Sequence, residues 1–251
     1  MTYCIVVSVQ EGLVLTSDSR TNAGIDNVSI HRKMHALSTS KDRTIVLLTA
    51  GNLATSQAVL DQLDRDMREH AAVNLNTVNF LSEAAEYLGQ VSLSKQNRHV
   101  NAGQNGFNPA ATFILAGQIG NHPHGAYLIY PEGNYITTSS HTPYLQIGEI
   151  KYGKPVLDRF LKNDTSLHEA GRCCLISMDS TMRSNVSVGP PVDLLFYISD
   201  SFVLDEYYSF QEDNDYLIQL RRTWHEKLKE SFATLPQIGR NDSSALPYHK
   251  H

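Results

Sequence analysis

Thr2-Tyr3-Cys4-Ile5-Val6-Val7-Ser8-Val9, the turn Gln10-Glu11-Gly12, and Leu13-Val14-Leu15-Thr16 open the chain behind Met1, and Ser17-Asp18-Ser19-Arg20 follows directly. Two β-rich runs on either side of a Glu-Gly pair predict a hairpin. Its first residue carries chemistry as well as a fold. Threonine is small enough to permit removal of Met1, and a mature terminus at Thr2 would hold a hydroxyl nucleophile and an α-amine in one residue. An α-amine has an ordinary pKa of about 7.7–8.0, so part of it is neutral near pH 7 and can take the proton as the hydroxyl attacks a carbonyl. Threonine with its own terminus is one of the convergent counterparts of the serine triad. A second-position threonine is also common without chemical meaning, so the residues downstream decide.

Downstream, the second run ends in Ser17 to Gly24, a polar loop leads to His31-Arg32-Lys33, and a third strand is expected from Met34 to Ser38. A fourth, Thr44 to Leu48, runs into Thr49-Ala50-Gly51-Asn52 and an amphipathic helix. If neighbouring strands pair, Thr2, Asp18, Lys33 and Gly51 fall at one end of one sheet. A lysine ammonium there favours the deprotonated forms of the threonine hydroxyl and amine, and a carboxylate keeps that lysine charged and in place. Gly51, at a strand-to-helix turn, can offer a backbone N–H to an oxyanion, aided by the positive end of the helix. Each residue alone has a plainer reading: Asp18 as a turn starter, Lys33 as a solvated charge, Gly51 as a turn glycine.

Order and spacing together resemble the β-type subunits of the proteasome family, among the N-terminal nucleophile hydrolases, and most closely the bacterial Anbu branch, the ancestral β-subunit-like proteins. The resemblance is carried by Thr2-Tyr3-Cys4, Ser17 to Gly24, Lys33, Ala50-Gly51-Asn52, the stretch Gly148-Glu149-Ile150-Lys151-Tyr152-Gly153-Lys154-Pro155, and Asp179 to Gly189. It implies an α+β fold, specifically a four-layer αββα sandwich. It also implies Thr2 as nucleophile, Lys33 as its tuning group, Asp18 as the holder of Lys33, and Gly51 as oxyanion donor. The expected substrate is a peptide or related amide, and the expected assembly a large homo-oligomer with active sites facing an interior space. No ATPase partner can be named from the chain.

Two departures shift the expectation. Related subunits place a serine between two glycines near the nucleophile, whereas this chain reads Gly148-Glu149-Ile150. Their supporting aspartate lies three residues before a hydroxyl; here Ser184 fills the hydroxyl position but Thr181 stands three before it, and the nearby acid is Asp179. Glu149, Asp179 and Ser184 are therefore supporting candidates, with a turn at Asp179 capped by Ser184 as the plainer alternative. Amidase or acyl-transfer chemistry on a small amide, and a silent assembly protein, stay open beside peptidase activity.

Composition bounds the class. The 251 residues carry a net charge of −5, and no basic stripe points to nucleic acid. No run of about 18 apolar residues and no signal peptide is present, so a cytoplasmic, membrane-free protein is expected. Three cysteines, Cys4, Cys173 and Cys174, do not make a disulfide framework and read as buried thiols. Of the 11 histidines, His122 and His124 sit at an expected hairpin tip between Thr112 to Ala116 and Ala126 to Tyr130, and His249 and His251 end the chain. Neither pair has zinc-type spacing, and neither a metal nor an organic cofactor is expected.

Helices are expected at Leu53 to Met67 and about Val78 to Val91, the latter capped by Asn76 or Thr77. Shorter ones are expected near Pro155 to Leu161 and Leu167 to Ile176. Ser92 to Pro109, rich in Ser, Asn, Gln and Gly, reads as a long exposed loop. Strands are expected near Val192 to Ser199 and Phe202 to Asp205. A last helix near residues 214–232 aligns Leu217, Leu220, Trp224, Leu228 and Phe232 on one stripe. Residues 1–236 are expected to form one domain, with 237–251 a disordered polar tail.

Overall fold

A computed structural model describes residues 1–22, 28–100 and 108–237; Ala23, Gly24 and nearly all of the expected tail lie outside the described residues. The opening hairpin forms as expected: β1 (Tyr3–Val9) pairs antiparallel with β2 (Gly12–Asp18), Val9 opposite Gly12 and Cys4 opposite Ser17. β3 (Arg20–Asn22) and β4 (Val28–Ile30) then form a small two-stranded ribbon where only a polar loop was expected. β5 (Met34–Ser40) and β6 (Arg43–Gly51) make a second hairpin, and β6 carries its strand through Gly51 into α1 (Leu53–Arg68). Asn52 caps α1, its side-chain oxygen accepting from the Thr55 N–H.

α2 (Leu81–Val100) starts later than expected and runs nine residues past Val91, through the Ser- and Gln-containing segment read as loop. The polar side chains there satisfy one another: Gln96 Nε2 donates to Ser92 Oγ and to the Pro131 carbonyl, each at 2.9 Å. β7 (Ala111–Ile119), β8 (Gly125–Ile129), β9 (Tyr135–Thr137) and β10 (Tyr144–Gly148) follow. Next come α3 (Lys154–Phe160) and α4 (Leu167–Ser184), the latter eight residues longer than expected. β11 (Val192–Ile198), β12 (Glu206–Phe210) and α5 (Asp215–Ala233) complete the order. β12 lies after the expected Phe202 to Asp205, because Asp200 and Phe202 take left-handed backbone angles that turn the chain there.

The strands form two five-stranded antiparallel sheets, β10-β1-β2-β11-β12 and β5-β6-β7-β8-β9. Alternation along the strands divides the buried residues into three clusters. Tyr3, Ile5 and Val7 of β1 pack with Leu157, Cys174 and Leu217 of α3, α4 and α5. Cys4 and Val6, on the opposite face of β1, meet Val46, Leu48, Ile114 and Leu128 of the second sheet. Ile45, Leu47, Phe113 and Leu115, on that sheet's far face, pack against Val59, Leu63, Ala84 and Leu88 of α1 and α2. Each central strand thus spends both faces on burial, which explains the near-continuous apolar runs of β1, β2 and β7.

Among the described residues, no helix is long and apolar enough to cross a membrane. The three cysteines are buried and unpaired. His124, near the tip of the β7–β8 hairpin, is engaged: its ring nitrogens lie 3.1 Å from Ser199 Oγ and 2.8 Å from the Val9 carbonyl.

Candidate active site

Sheet register brings the opening residues of the chain to a definite place. β1 lies between β10 and β2, with Tyr3 opposite Gly148 and the Glu149 N–H donating to the Thr2 carbonyl at 2.7 Å. Gly148 has φ of +86°, and a Cβ there would sit 1.9 Å from the Thr2 carbonyl oxygen. Only glycine allows that approach. β2 ends at Asp18, whose carboxylate is fully buried.

Three donors converge on that carboxylate. Lys33 Nζ donates at 2.7 Å and the Tyr3 N–H at 2.9 Å, both to Oδ1, while the Gly189 N–H donates to Oδ2 at 3.2 Å. Burial pushes the Asp18 carboxyl up from its ordinary range, and the Lys33 charge and the three hydrogen bonds pull it back. Lys33, itself buried, also donates to the Arg20 carbonyl at 2.6 Å. Both ends of the ion pair are therefore satisfied, the condition under which a buried pair persists.

Thr2 and Asp18 belong to the first sheet, whereas Lys33 immediately precedes β5 and Gly51 ends β6 of the second. The expectation of one shared sheet edge is corrected: the residues meet across two sheets. Thr2, Lys33 and Gly51 line one cavity of about 290 Å³, together with Thr21, His31, Arg32, Thr49, Ala50, Leu53, Ser56, Gly148 and Met1. Gly51 has φ of +99°, and a Cβ there would lie 2.5 Å from the Ala110 carbonyl, so the turn requires glycine. With Met1 present, the α-amine near the cavity is its own. Burial first, then the Lys33 charge, hold that amine below its ordinary value, while Asp18 and Glu149 oppose the change.

The supporting candidates separate. Glu149 is buried beside Thr2, and its Oε2 accepts from Asn185 Nδ2 at 3.0 Å. Asp179 lies elsewhere: its carboxylate accepts from Arg183 Nε at 2.9 Å and from Arg221 Nε at 2.5 Å, tying α4 to α5. Ser184 is the exposed last residue of α4. The turn alternative fails as well, because α4 is continuous through both; Ser180 and Thr181 return their hydroxyls to the Ile176 and Ser177 carbonyls. Gly148, Gly189 and the Arg20 carbonyl were missed as participants. Gly148 stood in a quoted motif, but nothing local announces which backbone groups will meet a carboxylate 171 residues away.

Among the described residues, no group of three or more His, Cys, Asp or Glu side chains is arranged to hold a metal ion. No protein-family model and no curated protein matches the chain. Solved structures do. Anbu from Yersinia bercovieri superposes with a TM-score of 0.90 at 42% identity, covering 95% of this chain and 100% of that one. The helical assembly of the Anbu complex from Pseudomonas aeruginosa gives 0.91 at 41% identity, with 96% and 100% covered. A Gly-1 mutant of Anbu from Hyphomicrobium sp. strain MC1 gives 0.88 at 36% identity, with 95% and 100% covered.

Proposed function

The chain belongs to the Anbu family of ancestral β-subunits, and from that membership we propose that it is an N-terminal threonine hydrolase acting on peptide or related amide bonds once Met1 is removed. The observation that carries this reading is that Thr2, Lys33 and Gly51 border one cavity while Asp18 holds Lys33 at 2.7 Å. Thr2 Oγ attacks the amide carbonyl, and its α-amine takes the hydroxyl proton and passes it to the leaving amine. The Gly51 N–H stabilises the oxyanion, and water then hydrolyses the resulting ester to free the acid and regenerate Thr2. Lys33 favours the deprotonated hydroxyl and amine, Asp18 positions Lys33, and Glu149 faces the amine as a supporting carboxylate.

The succession of helices, sheet, sheet and helices defined by the three buried clusters supports a four-layer αββα sandwich. The helical assembly formed by the Pseudomonas relative supports a large homo-oligomer. So does the outer half of α5, where Leu228 and Phe232 are 48% and 76% exposed. We place the protein in the cytoplasm, where three unpaired thiols are at home.

The test is covalent labelling. An electrophile that bonds to both a terminal threonine hydroxyl and its free amine should modify Thr2 of the trimmed chain, with the adduct located by mass spectrometry. Thr2→Ala and Lys33→Ala should abolish it. An intact mass that retains Met1, or no adduct on a correctly trimmed chain, would favour an assembly protein without hydrolase activity. Glu149 in place of a serine favours a second reading, in which the same nucleophile cleaves a small or unusual amide. Parallel cleavage assays on peptides and small amides separate the two.

A further inference from the structure

Charge along the Thr2 cavity is uneven. Lys33 is neutralised by Asp18, but His31 and Arg32, in the same connection, line the cavity as well. Arg32 is exposed and makes no ion pair among the described residues. Leu53 and Ser56 bring the first turn of α1 to the same cavity, and that turn carries no acidic residue. The Asn52 cap takes one N–H there, and no acidic side chain in that turn offsets the positive end of the 16-residue helix. Among the described residues no Asp or Glu lines the cavity, and the Glu149 carboxylate, buried beside Thr2, turns one oxygen to Asn185 Nδ2. Hydroxyls of Thr21 and Thr49 complete a lining suited to an anion, the Ser56 hydroxyl being spent on the Asn52 carbonyl.

We infer that the site takes an amide substrate bearing a carboxylate beside the scissile bond, and that Arg32 is the residue that reads it. This inference rests on the threonine-hydrolase reading. A guanidinium offers paired N–H donors that match a carboxylate, and at a cavity rim it raises capture of an anionic substrate while slowing a cationic one. The carboxylate has two possible sources with the same chemistry: an acidic side chain on the acyl side, or a free C-terminal carboxylate on the leaving-amine side.

The experiment uses the full chain with Met1 removed. Peptide epoxyketones ending in glutamyl or glutaminyl, isosteric but differing in charge, are compared by the rate at which they modify Thr2. For the other source, peptides whose residue after the scissile bond ends in a free acid or an amide are compared by cleavage rate. A preference of about tenfold for the charged member of one pair is expected, roughly 1.4 kcal/mol. Arg32→Gln should level it and Arg32→Glu should invert it; Arg32 is exposed, so neither change disturbs the core. Equal rates for both pairs, or a preference that survives both substitutions, overturn the inference while labelling of Thr2 leaves the hydrolase reading standing. Absence of any Thr2 adduct sinks both.

Discussion

At the scale of single residues, the site is held by backbone groups as much as by side chains. Asp18 takes two of its three hydrogen bonds from main-chain N–H groups, and Lys33 gives its second to a main-chain carbonyl. Lys33→Ala would leave a buried carboxylate without its counter-charge, and a loss of about 3–5 kcal/mol in denaturant unfolding is expected. Gly148→Ala would drive a Cβ into the Thr2 carbonyl at a left-handed backbone position. It should cost more than about 1 kcal/mol and displace Thr2, read as a lower unfolding midpoint together with loss of Thr2 labelling. Thr2, Asp18, Lys33 and Gly51 were legible in the sequence because each sits where a local run of apolar residues ends. Gly189 was not, because its contact with Asp18 depends on the pairing of β11 with β2.

At the scale of elements, the strands of the two hairpins and the bounds of α1, α3 and α5 were readable from the sequence, while the lengths of α2 and α4 were not. α2 and α4 both outrun their expected ends through Ser, Gln and Thr residues, whose polar groups are satisfied within the helix or against a neighbour. Intrinsic preference against helix is weak and tertiary packing overrides it. The same continuity turns Asp179 towards α5. Asp179→Ala should loosen the α4 to α5 contact, and a double-mutant cycle with Arg221→Ala should give a coupling of about 1 kcal/mol, with Thr2 labelling retained. The partner Arg183, half-exposed, should couple less. Loss of Thr2 labelling in Asp179→Ala would restore this residue to the catalytic set.

At the scale of the whole molecule, three thiols report on two different clusters: Cys4 between the sheets, Cys173 and Cys174 on the buried side of α4. Burial pushes all three up, Cys173 to about 12. The folded protein should therefore resist iodoacetamide at neutral pH, and all three should react in denaturant, since the thiolate is the nucleophile. The sign of the pH dependence follows. These groups keep their protons in the folded state, whereas an unfolded thiol ionises near its ordinary 9.0. Their contribution is full below that value and is lost as pH rises towards 12, so the urea midpoint should fall progressively above pH 9. A midpoint that stays level or rises from pH 9 to 11 would contradict this burial.

Strand order has a temporal meaning too. Thr2 and Asp18 are made well before β10 and β11, yet β1 and β2 have those strands as their other neighbours, and the Gly189 N–H completes the hold on Asp18. A nascent chain must be made through Gly189 before Thr2 and Asp18 acquire their final surroundings. Synthesis itself thus acts as a timer that keeps the amino terminus unassembled until most of the protein exists to enclose it.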